Sequence, residues 1–287
     1  MSFIAAAAQY PIEQLADWTA YQAKLSRWVA EAADGGARLA VFPEYGAMEL
    51  AALDPLTMGD LQQSLSSVAS LLQQVDDLHC ELAARHGMHL LAASLPVWHE
   101  GRWVNRARLI APNGKIGVQD KLVMTRFERE DWNVIGAPGL RVFDTPVGRL
   151  GVLICYDAEF PLLGRVLAEA GVEIILVPSC TDTVAGYNRV RIGAMARALE
   201  SQCVVVQSPT VGNVDWCPAI DENRGAAGVY APADGFWPES GVVAEGAMDV
   251  PGWVKAEVDL DRVAESRRDG RVLPFLHWAE SAGSLEA

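Results

Sequence analysis

Three residue types in this chain, set at the ends of apolar runs, could together break an acyl bond: a carboxylate at Glu44, an amine at Lys121 and a thiol at Cys155. Cys155 lies in GRLGVLICYDAEFP, where an apolar run reads as a buried strand and Phe160-Pro161 opens a helix. A thiol at the C-terminal end of a strand, before a sharp turn into a helix, follows the logic of a nucleophile elbow. The turn exposes the sulfur, and the backbone N–H groups beyond it can face a developing oxyanion. A buried structural cysteine fits the segment equally well when it is read alone. Lys121, in GVQDKLVMTRFERE, follows a strand, and Glu44, in LAVFPEYGAMEL, ends one. Separately, each reads as a solvated or turn residue.

Taken in order, FPEYG, a lysine after a hairpin strand and ICYD resemble the nitrilase superfamily, whose members carry a Glu–Lys–Cys triad. The likeness runs from AQYP near the start to Glu257–Leu260. Along the way it takes in Asn105-Arg106-Ala107, Gly151–Asp157, Pro178-Ser179 and Arg197-Ala198-Leu199-Glu200. The resemblance implies a four-layered α-β-β-α sandwich that commonly pairs into an eight-layered dimer. It also implies roles: Glu44 as general base, Cys155 as nucleophile, Lys121 beside the N–H of Tyr156 as oxyanion stabiliser, and no cofactor. A protonated lysine at the thiol is expected to pull the cysteine pKa below its free value of about 8.5. A Cys–His dyad would need His277, and no motif supports that pairing.

Family members often carry a second glutamate after the lysine. Glu128 and Glu130 compete for that place in TRFEREDW, and spacing favours Glu128. Tyr156-Asp157 after the cysteine, where true nitrilases typically have Trp-Glu, resembles amidases, ω-amidases and carbamoyl hydrolases. Amide or carbamoyl substrates are therefore expected rather than nitriles. Trp132, Cys180, Tyr187 and Trp216 are candidates to line the pocket, and Arg189 and Arg191 are candidates for a substrate carboxylate. Acyl transfer to an amine, or a binding module that has lost its chemistry, are the competing functions.

These residues need a rigid frame. The pattern predicts strands at 3–9, 38–42, 89–94, 149–154, 174–177, 204–207, 228–231 and 253–258. It predicts helices at 13–33, 61–86, 161–170 and 189–200. The turn Pro112-Asn113-Gly114 joins hairpin strands 103–111 and 115–119, since Asn-Gly favours positive φ. With no linker or repeat, one α/β domain over 1–287 is expected. Strands apolar on both faces require layers on both sides.

Composition narrows the partners. A net charge of −14 argues against nucleic acid and anionic membranes, which need a basic footprint. The five cysteines are odd in number and scattered, without a CxxC pair, so neither a disulfide framework nor a zinc site is expected. His86 and His89 bring no carboxylate-rich pattern for a metal. The N-terminus lacks a basic start and a long apolar run, so a cytoplasmic location is the expectation; the homodimer and the small amide-type substrate are what the family resemblance implies.

Overall fold

The computed structural model describes residues 1–281, so the last six positions of the expected single domain lie outside the described residues. Two six-stranded sheets form its centre. The first contains β1 (Ser2–Pro11), β2 (Ala37–Val41), β3 (His89–His99), β4 (Arg102–Ile110) and β5 (Ile116–Asp120). The second contains β6 (Val142–Thr145), β7 (Gly148–Val152), β8 (Ile174–Ser179) and β9 (Val204–Asn213), followed by β11 (Gly228–Tyr230) and β12 (Val242–Glu245). The short β10 (Glu222–Asn223) pairs with the end of β9. β13 (Gly252–Asp259) returns to the first sheet, antiparallel to β1.

In each sheet the middle strands are parallel and the flanking ones antiparallel. Among the described residues, strand pairing joins the two sheets only at the tip of β1, where Tyr10 and Pro11 pair with Thr210 and Val211 of β9. Ala5 to Ala8 of β1 are all buried. Alternate β1 residues serve opposite layers. Ala5 and Ala7 join Leu39, Val41, Val152, Leu176 and Val206 between the sheets. Ala6 and Ala8 join Trp28, Leu65 and Leu82 beneath the outer helices.

Outside the first sheet lie α1 (Trp18–Asp34), α2 (Leu61–Ser70) and α3 (Leu72–His86). α4 (Arg126–Glu130) is a single turn near the site, while α5 (Pro161–Glu169) and α6 (Val184–Ser201) cover the second sheet. α7 (Leu260–Asp269) and α8 (Pro274–His277) close the described chain. The expected four-layered α-β-β-α sandwich is therefore the architecture.

The hairpin forms as predicted: Ile110 pairs with Ile116, Gly114 takes φ +80°, and the Asn113 side chain accepts the Lys115 N–H. Three helices depart from expectation. α1 starts at Trp18, not Glu13, because the Asp17 carboxylate caps the Ala20 N–H. The expected helix 61–86 is broken at Leu71 without proline or glycine, so tertiary contacts set the break: α2 packs on β3 while α3 packs on α1. α6 begins five residues before the expected Arg189, capped by Thr183 through the Gly186 N–H.

Candidate active site

Glu44 follows β2, where the chain leaves the sheet through Tyr45 in the left-handed region (φ 51°) and a short 3-10 turn, Gly46–Leu53. Its carboxylate is fully buried. Oε1 accepts from Lys121 Nζ at 2.7 Å and Asn105 Nδ2 at 2.9 Å, and Oε2 accepts the Cys180 N–H at 3.0 Å. Lys121 follows β5, held by its N–H to the Asn105 carbonyl of β4. Its ammonium also donates to Glu128 Oε2 at 2.6 Å, and is thus clamped between two carboxylates.

Glu128 sits in α4, whose start is a capping box. Thr125 accepts from the Glu128 N–H, and Glu128 Oε2 takes the Thr125 N–H and hydroxyl. Glu128 Oε1 receives the Tyr45 hydroxyl at 2.9 Å. Glu130, its competitor, points outward and pairs with exposed Arg126.

Cys155 ends the run after β7 with φ 48°, the first residue of a 3-10 turn, Cys155–Glu159. Left-handed φ at a non-glycine residue is uncommon and is tolerated only where neighbours impose it. Here α6 presses against the turn. A Cβ on Gly193 would lie 2.7 Å from the Ala158 carbonyl, and Arg197 Nη1 donates to that same carbonyl at 2.8 Å. The Cys155 thiol donates to the Cys180 carbonyl at 3.7 Å. Cys180 thus touches the Glu44 carboxylate through its N–H and the Cys155 sulfur through its carbonyl.

Burial pushes the Glu44 carboxyl up to about 7; Lys121 opposes that rise, and Glu128 reinforces it. Burial would neutralise Lys121, but Glu128 and Glu44 outweigh it and hold the lysine pKa well above the usual value. Glu128 is held below the ordinary carboxylate range: burial opposes this, and Lys121 and the Thr125 amide achieve it. The thiol corrects an expectation. Burial, then the Glu44 carboxylate, push Cys155 well above the free value, and Lys121 only partly offsets them. These surroundings favour the neutral thiol over the thiolate, with the Glu44 carboxylate beside it.

All four groups border a cavity of about 910 Å³. Of the expected lining, Trp132, Tyr156 and Cys180 border it, with Trp132 anchored by its indole N–H to the Leu61 carbonyl. Tyr187 does not. It faces the edge of the second sheet, its hydroxyl directed at Glu245, which also pairs with Arg191. Trp216 is buried in the core under the outer helices. Arg189 stands exposed at the cavity mouth, 3.4 Å from Glu159. Tyr45 and Thr125 were not singled out, and Asn105 was named only within a family-like segment without a role, although Thr-x-x-Glu at 125–128 is a legible capping signature that separates Glu128 from Glu130. Among the described residues no group of three or more potential ligands is placed to hold a metal. No helix there is long and apolar enough to cross a membrane.

The carbon–nitrogen hydrolase family model matches residues 4–268. The chain is 33% identical to a probable hydrolase, YhcX, of Bacillus subtilis over 92% of its own length, and spans about half (51%) of that relative. It is 29% identical to the deaminated glutathione amidase of Bos taurus, covering 84% of this chain and 72% of that one. A carbon–nitrogen hydrolase of Helicobacter pylori shares the fold, with TM-score 0.75 at 20% identity over 93% and 92% of the two chains.

Proposed function

Because this chain belongs to the carbon–nitrogen hydrolase family, we propose that it hydrolyses the C–N bond of a small amide or carbamoyl compound through a thioester on Cys155. One observation carries the reading: a buried thiol, a carboxylate poised near neutrality and a fixed ammonium meet at one wall of a ligand-sized cavity.

In this reading the thiol gives its proton to Glu44 as the sulfur attacks the carbonyl carbon. The tetrahedral oxyanion forms against Lys121 Nζ and the Tyr156 N–H. Held between two carboxylates, Lys121 does not reorganise as that charge develops. Glu44 then passes its proton to the departing nitrogen, releasing ammonia or an amine. Water enters, Glu44 removes its proton, and the thioester collapses to acid and free thiol. Glu128 keeps Lys121 charged and placed, and Trp132, Tyr156 and Cys180 shape the space for the acyl group.

Amidase-named relatives favour amide over nitrile substrates. Incubation with a panel of amides, carbamoyl compounds and nitriles, following ammonia release, tests this. Turnover of nitriles alone overturns the substrate class, and amide turnover only in the presence of an acceptor amine moves the reading to acyl transfer.

The family resemblance also supports a homodimer. Exposed Leu162 and Val166 of α5 and Ile192 and Leu199 of α6 leave apolar surface on the outer layer of the second sheet. Light scattering should show twice the chain mass of 31.0 kDa or more at micromolar concentration, and a monomer alone contradicts the assignment.

A further inference from the structure

Asp157 lies two residues beyond the sulfur, is fully buried, and spends its carboxylate on backbone amides from two separate segments. Oδ1 accepts the Val123 N–H at 2.8 Å and the Leu122 N–H at 3.3 Å, both just past Lys121. Oδ2 accepts the Ile154 N–H at 3.2 Å, just before Cys155. Its own N–H donates to the Ile154 carbonyl at 3.0 Å, closing the turn that holds Cys155 at positive φ. The segment it grips is seated from the other side as well. The Ala137 N–H donates to the Lys121 carbonyl at 3.1 Å, and a Cβ on Gly136 would fall 2.2 Å from the Leu122 carbonyl.

We propose that Asp157 is the positioning residue of this site, a single carboxylate that ties the lysine-bearing segment to the cysteine-bearing turn and so fixes Lys121 Nζ relative to the Cys155 sulfur. It touches neither substrate nor reacting atoms; it acts through the two residues that do. One of these bonds, from the Val123 N–H at 2.8 Å, has the short length of a charge-assisted bond, and the Leu122 and Ile154 N–H groups converge on the same carboxylate from 3.3 and 3.2 Å. Burial lifts the Asp157 carboxyl to about 6, against the pull of Lys121 and the three amides, so the clamp remains ionised at neutral pH. The inference rests on Lys121 and Cys155 being the working pair.

The test is Asp157→Asn, which keeps the shape but turns an amide N–H₂ toward backbone donors. With the fold retained by circular dichroism, kcat on the best amide should drop about 100-fold, the scale of a misplaced reacting group, while KM stays within about threefold. Independently of turnover, alkylation of Cys155 by iodoacetamide at pH 8 should slow about tenfold, because a displaced ammonium no longer favours the thiolate. A folded variant with wild-type kcat and alkylation rate overturns the proposal. If the wild-type protein turns over no amide yet the alkylation slows, the functional reading fails and the clamp stands. Should the asparagine variant not fold, Val123→Pro deletes the 2.8 Å donor and leaves the carboxylate in place. Slower alkylation there supports the clamp, and the wild-type rate overturns it.

Discussion

Glu44 and Glu49 lie five residues apart in one connecting segment, and each is buried against a buried lysine; one cluster is a candidate active site and the other is not. Glu49 Oε2 binds Lys24 Nζ at 2.6 Å, its Oε1 takes the Tyr10 hydroxyl at 2.5 Å, and Lys24 also donates to the Pro11 carbonyl. The Lys24 ammonium lies 4.3 Å from the Tyr10 ring centre and 3.5 Å from Glu13 Oε2, so aromatic, backbone and carboxylate groups surround it. The Lys121 cluster has the same residue types, but one wall of it is the cavity and its fourth member is a thiol. A buried charge cluster closed on itself fastens a segment. One left open, with a nucleophile at the gap, can do chemistry.

The sharpest way to break the contrast is Cys155→Ala. Turnover should fall by about 10⁴-fold or more while the urea midpoint stays put, as expected when one member of a group acting as a unit is removed. Residual activity within tenfold of wild type would leave the two clusters functionally alike. Lys24→Met should do the reverse. It strands the Glu49 carboxyl and costs about 3 kcal/mol of unfolding free energy, while kcat of the folded protein changes by no more than about threefold. If kcat falls with stability, the two clusters are one unit. Glu128→Leu comes next, with kcat lowered about 100-fold and Glu130→Leu as its nearly silent control, since an exposed i,i+4 pair contributes under about 1 kcal/mol. The reverse outcome would move the role to Glu130.

The smallest effect is a shift in pH dependence. Glu44 must be ionised to accept the thiol proton, so kcat/KM should fall as pH drops through about 7. Lys121 and Cys155 titrate well above their usual ranges, so neither should set a second limb near neutrality. Removing the Glu128 charge in Glu128→Gln takes away one cause of the raised Glu44 value, and the acid limb should move to lower pH. A limb that does not move would mean that the measured titration belongs to another group.

The proposed order Glu–Lys–Cys was legible because each member follows a strand, and strand ends leave local marks: FPEYG, the lysine after an Asn-Gly hairpin, ICYD. Strands apolar on both faces made a covered sheet legible, while the division into two sheets came only from the family resemblance. Tyr45 and Asn105 were not, since their roles exist only through partners 83 and 61 residues away. Lys24 lies within the helix expected at 13–33, and nothing local shows that its ammonium turns inward. Tyr187 and Trp216 were placed by their irregular surroundings, which do not say which way a side chain faces. The cysteine pKa was misjudged by weighing the lysine without the desolvation that accompanies it.

The narrow seam between the sheets has a kinetic consequence. Glu44 and Lys121 belong to the first half of the chain and Cys155 and Cys180 to the second, while the direct strand pairing between the two sheets involves only two residues of β1. The second sheet can gather from contacts within its own half, but the first needs β13 from the far end of the chain beside β1, and the Cys180 N–H meets Glu44 across 136 residues of sequence. Such distant closures come late, because the loop entropy must be met before the contact rewards it. On dilution from urea, far-UV circular dichroism should therefore return before Cys155 regains its native alkylation rate, and activity should follow the slower of the two.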